Sequence, residues 1–282
     1  MRPILNWIDR RVDLILITNN TMIPYSDIKI LYTGGCSFFT RAYDFNSPST
    51  RKSISKNKFD DKEANELSFP KLLGSKLNLP LVNDAKAGHS NAYSIRSAYE
   101  FLRNKPKQER AVAVMGLTDL ARRELPILGT DRYHPISPSD YHFYNKTYKQ
   151  DIDISKLEDV LNNYYQYMYN DNTEIKELIQ QLNMLSSYAD HHNTQMIFFC
   201  SFTPAQNYHE QKDKLSQEIF NTSKNIFDFF NFGHETGQLC TWVDFIKSYE
   251  PSHGQGHPFL YDNKLLANIM AYYIKTGKFK HT

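Results

Sequence analysis

Cysteine is scarce in this chain: of its 282 residues only Cys36, Cys200 and Cys240 are cysteines. Three scattered thiols are too few for a disulfide framework or a cysteine-based zinc site, so we expect a reducing, cytoplasmic compartment. Histidines are more frequent, but their spacings match no standard zinc pattern, and we predict no metal. The histidines considered were His89, His134, His142, His253 and His257.

Net charge is small as well, at +2 from 33 basic and 31 acidic residues. The densest basic stretch, residues 50–58, is typical of a solvated loop, and we therefore expect no nucleic-acid partner. Long apolar runs are missing near the N-terminus, where the run 14–18 is too short for a signal peptide or a membrane span. We expect no membrane association, and residues 1–27 are an N-terminal extension of unassigned role.

Aromatic residues, by contrast, are abundant, with 19 Tyr, 18 Phe and 2 Trp, which argues against disorder. Apolar runs of strand length recur, and their continuous rather than alternating hydrophobicity predicts strands covered on both faces. Helical patterns separate these runs, so we predict a three-layer α/β/α domain around a parallel sheet of about five strands. The runs are 28–33, 79–84, 111–116, 196–201 and, less clearly, 239–245.

The predicted helices lie between these strands. Ser90 is expected to cap a helix over 90–104 whose buried face holds Ala92, Ile95, Ala98 and Leu102. Two consecutive helices precede the fourth strand, and a last helix over 262–277 begins at an Asp-Asn cap and ends at a glycine. We treat 1–282 as one domain with irregular insertions at 41–68 and 125–150, each either a lid or plain decoration.

Unusual residues cluster where the predicted strands end. Ser37 follows Gly34-Gly35-Cys36 after the first strand, Gly88 follows the second, and "GLTD" at 116–119 follows the third, while His257 precedes the last helix. In an open parallel sheet, ligands bind beyond the carboxyl ends of the strands. Acyl transfer needs a nucleophile, an imidazole and N–H donors for the oxyanion in one small volume. The residues at these four strand and helix ends are able to supply the nucleophile, the imidazole and the N–H donors.

The order Gly-x-Ser, Gly, Gly-x-x-Asp and His resembles the SGNH, or GDSL-like, hydrolase family, and "GCSF" resembles a variant found in its phage and bacterial members. The resemblance implies a flavodoxin-like fold, no cofactor, and a host cytoplasm or virion location if the protein is viral. It also implies that Ser37 is the nucleophile and His257 the general base. The oxyanion would be bound by the N–H groups of Ser37 and Gly88 and by the hydroxyl of Thr118.

Two positions depart from the family pattern. Thr118 stands where the family has an asparagine, and its hydroxyl has a shorter reach than an amide. Gly254 stands three residues before His257, where the family usually has the acid that orients the imidazole. Asp244 is our preferred substitute for that acid. A Ser–His pair without an acid, or an inactive module that binds a glycan, nucleotide or protein, remains the alternative.

Two interpretations of the first motif stay open. A serine after Gly-Gly at a strand–helix junction is also a common helix N-cap, so Ser37 has a structural alternative. A Cys36 thiolate is intrinsically the stronger nucleophile, and a helix N-terminus lowers the pKa of a thiol and so favours the thiolate. Neighbouring residues at such a turn point in different directions, however, and the family register leaves Cys36 either packed in the interior or directly behind the site residues.

Other candidates also carry two interpretations. Gly116 either borders the substrate or simply ends its strand, and Asn91 either lines the pocket or caps its helix. Arg122 or Arg123 either binds an anionic group or sugar hydroxyl of the substrate or belongs to a solvated first helical turn, and Glu124 is a candidate loop anchor. Asp119 is expected to hold its turn.

Tyrosines in the segment 125–150 suit a carbohydrate surface, because aromatic faces stack on sugar rings. The predicted substrate is accordingly a small or glycan ester that carries a short, O-acetyl-like acyl group, and the oligomeric state is left open. The tyrosines are Tyr133, Tyr141, Tyr144 and Tyr148.

Overall fold

The computed structural model describes residues 23–36, 39–40, 61–126, 133–136, 154–201, 242 and 260–277. Its strands are β1 (Ile28–Gly34), β2 (Leu81–Asn83), β3 (Arg110–Leu117), β4 (Arg123–Pro126), β5 (Tyr133–Ile136) and β6 (Thr194–Cys200). Its α-helices are α1 (Asp61–Glu66), α2 (Phe69–Leu77), α3 (Asn91–Asn104), α4 (Ile154–Asn163), α5 (Asp171–His191) and α6 (Leu260–Thr276). A 3₁₀ turn covers Tyr25–Asp27, and a π-helical turn, Tyr164–Met168, follows α4.

Four strands form a parallel sheet in the order β2-β1-β3-β6, which confirms the predicted α/β class. The order is that of the first four strands of a flavodoxin-like sheet. The four strongest strand predictions match observed strands to within two residues at each end. Of the less clear run, 239–245, only Trp242 lies among the described residues, and its backbone is helical rather than extended.

Apolar residues alternate between the two faces of this sheet, which explains the continuous hydrophobic runs. One face packs against α2 and α6 through Leu31, Val112, Val114, Ile197 and Phe199. The opposite face packs against α3 and α5 through Tyr32, Ala113, Met115, Met196 and Phe198. Because side chains alternate along a strand, both faces need apolar residues when helices cover both, and a three-layer arrangement follows.

Helix α3 begins as predicted, since the Ser90 hydroxyl accepts a hydrogen bond from the Tyr93 N–H at 3.3 Å. Its buried face is rotated from the prediction, with Ala92 and Ile95 only half-buried. The buried positions are Asn91, Ser94, Ala98 and Leu102. Two polar residues therefore face inward where we expected alanine and isoleucine, and one of them, Asn91, contacts the candidate site.

The last helix differs from the prediction at its start. Helix α6 already includes Leu260, so Asp262 and Asn263 lie inside its first turns, both buried, and are not its cap. The predicted glycine stop is confirmed, because Gly277 follows the helix with a φ of 68° that favours glycine. Among the described residues, no helix combines the length and the apolar character needed to cross a bilayer.

The two insertions are more regular than the sequence suggested. Within 41–68, residues 61–66 form the short helix α1, and the part before residue 61 lies outside the described residues. Within 125–150, β5 pairs antiparallel with β4, so the expectation of an irregular segment is wrong there. The chain after Thr118 also enters β4 rather than a helical turn, because residues 123–126 pair with residues 133–136.

Candidate active site

The carboxyl ends of the sheet strands are joined by backbone hydrogen bonds just beyond the sheet. The Lys86 N–H donates to the Gly35 carbonyl at 3.0 Å, which links the turn after β2 to the end of β1. On the other side, the Ser201 N–H donates to the Leu117 carbonyl at 2.9 Å and links the exits of β6 and β3. The exits of all four parallel strands therefore form one edge, and the described candidates Gly88 and Thr118 follow two of these strands.

All three predicted catalytic residues, Ser37, Asp244 and His257, lie outside the described residues. Their roles stay predictions. Cys36 is described and is 1% exposed within the core cluster that lies between the sheet, α2 and α6. This burial confirms that the thiol is packed in the interior, and it argues against a cysteine nucleophile.

Gly116 is a packing position. It lies inside β3, which continues to Leu117, so it does not end the strand. A Cβ added there would come within 2.2 Å of the Phe39 ring and 2.7 Å of the Ser201 hydroxyl oxygen. Since real Cβ atoms do not approach other atoms this closely, any side chain at 116 would displace Phe39, whose ring stacks on Phe199 at 5.6 Å.

Asn91 holds the main chain of Thr118 at two points. Its side-chain amide donates to the Thr118 carbonyl at 3.0 Å and accepts from the Thr118 N–H at 2.8 Å. Both residues are buried. Ser90 caps the helix, so Asn91 is free for this second task. The Thr118 hydroxyl is buried too and has no hydrogen-bond partner among the described residues.

Gly88 occupies a turn that few other residues would tolerate. Its φ is 79°, in the left-handed region where a side chain strains the backbone. The His89 N–H donates to the Lys86 carbonyl at 3.4 Å across this turn. The turn therefore leads directly from the end of β2 to the Ser90 cap of α3, and it fixes where the Gly88 peptide lies relative to the other strand exits.

A buried ionic cluster that the sequence did not reveal lies beside this turn; we call it the His89–Glu124–Arg96 cluster. His89 Nδ1 lies 2.9 Å from Glu124 Oε1, and Arg96 Nη2 donates to Glu124 Oε2 at 2.5 Å. The side chains of His89 and Glu124 are 5% and 2% exposed, whereas that of Arg96 is 42% exposed. Burial acts to raise the pKa of Glu124, but the hydrogen bonds and charges of His89 and Arg96 outweigh it and lower that pKa.

This cluster bears on two interpretations made from the sequence. Glu124 anchors its segment, as proposed, and His89, one of the histidines considered for a metal site, instead contacts the Glu124 carboxylate. Within the described ranges, no three His, Cys, Asp or Glu side chains gather in a way that could hold a metal ion. His89 and Glu124 are 35 residues apart, and no local sequence pattern pairs residues at such a separation. The available signals were a histidine directly after the turn glycine and the candidate anchor Glu124, which nothing in the sequence pairs with each other.

The two arginines after β3 have different surroundings. Arg123 forms an ion pair with Glu174 of α5 and so ties β4 to the helical layer. The Arg122 N–H donates to the Asp119 carbonyl at 3.2 Å, and the Asp119 side chain accepts from the Ala121 N–H at 2.9 Å. Asp119 therefore holds the turn, as predicted. A substrate contact by Arg122 stays a prediction.

No family model matches the chain, and no curated protein has a similar sequence. Several solved structures resemble it weakly. The esterase EstA from Pseudoalteromonas sp. shares 12% identity at a TM-score of 0.46, covering 88% of this chain and 98% of that one. A provisionally assigned GDSL-like lipase from Parabacteroides merdae shares 14% sequence identity at a TM-score of 0.43. The match covers 91% of this chain and 100% of that one.

A family two carbohydrate esterase from Clostridium thermocellum, solved with cellohexaose, shares 12% identity at a TM-score of 0.45 and covers 88% of this chain and 64% of that one. Similarities at this level do not assign the chain to a family or an activity.

Proposed function

We propose that this protein is a serine ester hydrolase of the SGNH type, acting on a short acyl group such as an O-acetyl on a glycan or another small ester. Ser37 attacks the acyl carbonyl and forms an acyl-enzyme, while His257 takes the serine proton and returns it to the leaving alcohol. Water then attacks the acyl-enzyme with His257 again as the base, which releases the acid and restores the serine.

The observation that carries this proposal is the arrangement at Thr118. Its backbone is held at both polar groups by Asn91, while its buried hydroxyl lacks a partner among the described residues. A buried hydroxyl without a hydrogen bond costs about 1–3 kcal/mol, so such a group is expected where a ligand supplies the acceptor. An oxyanion is an acceptor of this kind, and donors fixed before the reaction stabilise it best.

Gly88 supports the same assignment. Its left-handed turn lies at the sheet edge next to the first motif, since Lys86 bonds to Gly35. The Gly88 and Ser37 N–H groups would complete the oxyanion site with Thr118. Asp244 is proposed to orient His257 because Gly254 leaves that task open. Each lost oxyanion donor typically lowers the rate about 10²–10³-fold.

The test is covalent labelling together with turnover. We expect the wild type to react with a fluorophosphonate probe and to hydrolyse p-nitrophenyl acetate, and we expect Ser37→Ala to do neither. Cys36→Ala is the matched control because it changes the adjacent residue and leaves the proposed nucleophile in place. Labelling that survives in S37A and disappears in C36A would reverse the two roles.

The second candidate is an inactive binding module that uses the same edge. Gly254 in place of the family's acid favours it, because an imidazole without an acidic partner is a weaker base. In that case the wild type would fail to react with the serine-directed probe and still bind a ligand at this edge. Ligand binding without labelling therefore selects this candidate over the hydrolase.

A further inference from the structure

The His89–Glu124–Arg96 cluster has one polar atom with no assigned purpose. His89 Nε2 is buried and has no hydrogen-bond partner among the described residues, although the other ring nitrogen is bound to Glu124. The imidazole is 5% exposed, so solvent does not satisfy Nε2. A buried nitrogen left unpaired in this way needs a physical explanation, and a hydrogen bond to a bound ligand would supply one.

The hydrogen bond to Glu124 determines what Nε2 can bind. Arg96 and His89 both contact this carboxylate and keep it ionised, and an ionised carboxylate only accepts hydrogen bonds. When the ring carries a single proton, that proton lies on Nδ1 against Glu124, and Nε2 carries the lone pair. Nε2 then needs a donor, which is either a hydroxyl or an N–H group.

The surrounding charges favour a neutral donor. Arg96 lies on one side of Glu124 and balances its charge, and Lys86 Nζ lies 5.5 Å from the centre of the Tyr93 ring. The Tyr93 ring in turn lies 4.3 Å from the imidazole. Because Arg96 already balances the charge of Glu124, an ammonium group at Nε2 would add a positive charge with no anion left to pair it, and it is disfavoured. A neutral hydroxyl fits both the lone pair and the charges.

We propose that His89, held by Glu124, is a binding subsite in which Nε2 accepts a hydrogen bond from a hydroxyl group of a sugar-like ligand. This inference rests on the proposed function, because the ligand is the polyol half of the ester that Ser37 cleaves. His89 directly follows Gly88, which is a proposed oxyanion donor, so the subsite and part of the oxyanion site would be formed by the same turn. The half-buried Tyr93 ring, centred 4.3 Å from the imidazole, is the neighbouring side chain that such a ligand would contact.

Two substitutions at the same position separate the two nitrogens. Asparagine reaches the Nδ1 position, so His89→Asn keeps the donor to Glu124 and removes the acceptor. Glutamine reaches the Nε2 position, so His89→Gln keeps an acceptor oxygen there and loses the Glu124 bond. His191→Asn, an exposed imidazole at the end of α5, is the matched control.

The readout is the ratio of kcat/KM for 6-O-acetylglucose to kcat/KM for p-nitrophenyl acetate, which has no hydroxyl. Loss of one buried hydrogen bond predicts that H89N lowers this ratio about 10- to 100-fold, that H89Q recovers part of it, and that H191N does not change it. A ratio that stays at the wild-type value in H89N overturns the subsite.

A second measurement uses the unmodified protein and needs no turnover. Nitrogen NMR of the wild type labelled at histidine should show His89 protonated at Nδ1 only, and saturating glucose should shift its Nε2 resonance. A proton on Nε2, or a resonance that glucose does not move, overturns the proposal even if H89N fails to fold. If the wild type hydrolyses neither ester while glucose still shifts the His89 Nε2 resonance, the hydrolase proposal fails and the subsite stands.

Discussion

His89 and Asn91 are two residues apart, and both attach the start of α3 to the chain that follows β3, yet they do so by different physics. Asn91 uses a neutral amide against the Thr118 peptide. His89 uses a buried carboxylate that is shared with Arg96. A neutral attachment fixes geometry at any pH, whereas an ionic one depends on the protonation of Glu124. The edge of the sheet therefore combines one constant and one titratable anchor.

Removing the ionic anchor should have the largest effect. Glu124→Ala leaves the buried His89 Nδ1–H unpaired, while the half-exposed Arg96 turns to solvent. We expect a loss of about 2–4 kcal/mol in the free energy of unfolding, measured by urea denaturation. Glu100→Ala is the control, because its pair with Arg103 is exposed and is worth at most about 0.5 kcal/mol. Equal losses in the two variants would contradict the burial argument.

Removing the neutral anchor should cost somewhat less stability. Asn91→Ala leaves both the N–H and the carbonyl of Thr118 without partners in the interior. We expect about 2–3 kcal/mol in urea denaturation and, if Thr118 serves the oxyanion, a further fall in turnover of p-nitrophenyl acetate.

Ser90→Ala gives the comparison for Asn91→Ala. Removal of this N-cap lowers stability by about 1 kcal/mol, and it leaves Thr118 held in place. An Asn91→Ala variant that loses stability and keeps full turnover would remove Thr118 from the mechanism.

The sequence predicted the sheet well, because strands buried on both faces leave long apolar runs that a single segment reveals. The Ser90 cap was also predicted correctly, because a helix cap, like an apolar run, is determined by residues that are neighbours in the sequence. The His89–Glu124–Arg96 cluster was not predicted as a unit, because it joins a turn, a helix and a strand that only the tertiary fold brings together. The hairpin was missed because Leu125-Pro126 and the prolines that follow obscure a strand pattern.

The buried face of α3 was predicted incorrectly for a related reason. Hydrophobic spacing assigns Ala92 and Ile95 to the core, but the contact with Thr118 turns Asn91 inward and rotates the helix. A buried polar residue is therefore where the sequence pattern and the structure disagree, and it lies at the candidate site. Such disagreements are expected near functional residues.

The pH dependence of the two anchors provides the smallest and most discriminating test. The pKa of Glu124 is lowered in the folded protein from its ordinary value of 4.5, so the unfolded chain binds the proton first as the pH falls. The stabilisation is complete above that value and disappears as the pH falls through the folded pKa. We therefore expect the stability difference between the wild type and Glu124→Gln to shrink between about pH 5 and pH 3. The difference between the wild type and Asn91→Ala should stay constant over the same range, because neither partner titrates. Parallel slopes for the two variants would show that Glu124 is not the titrating anchor.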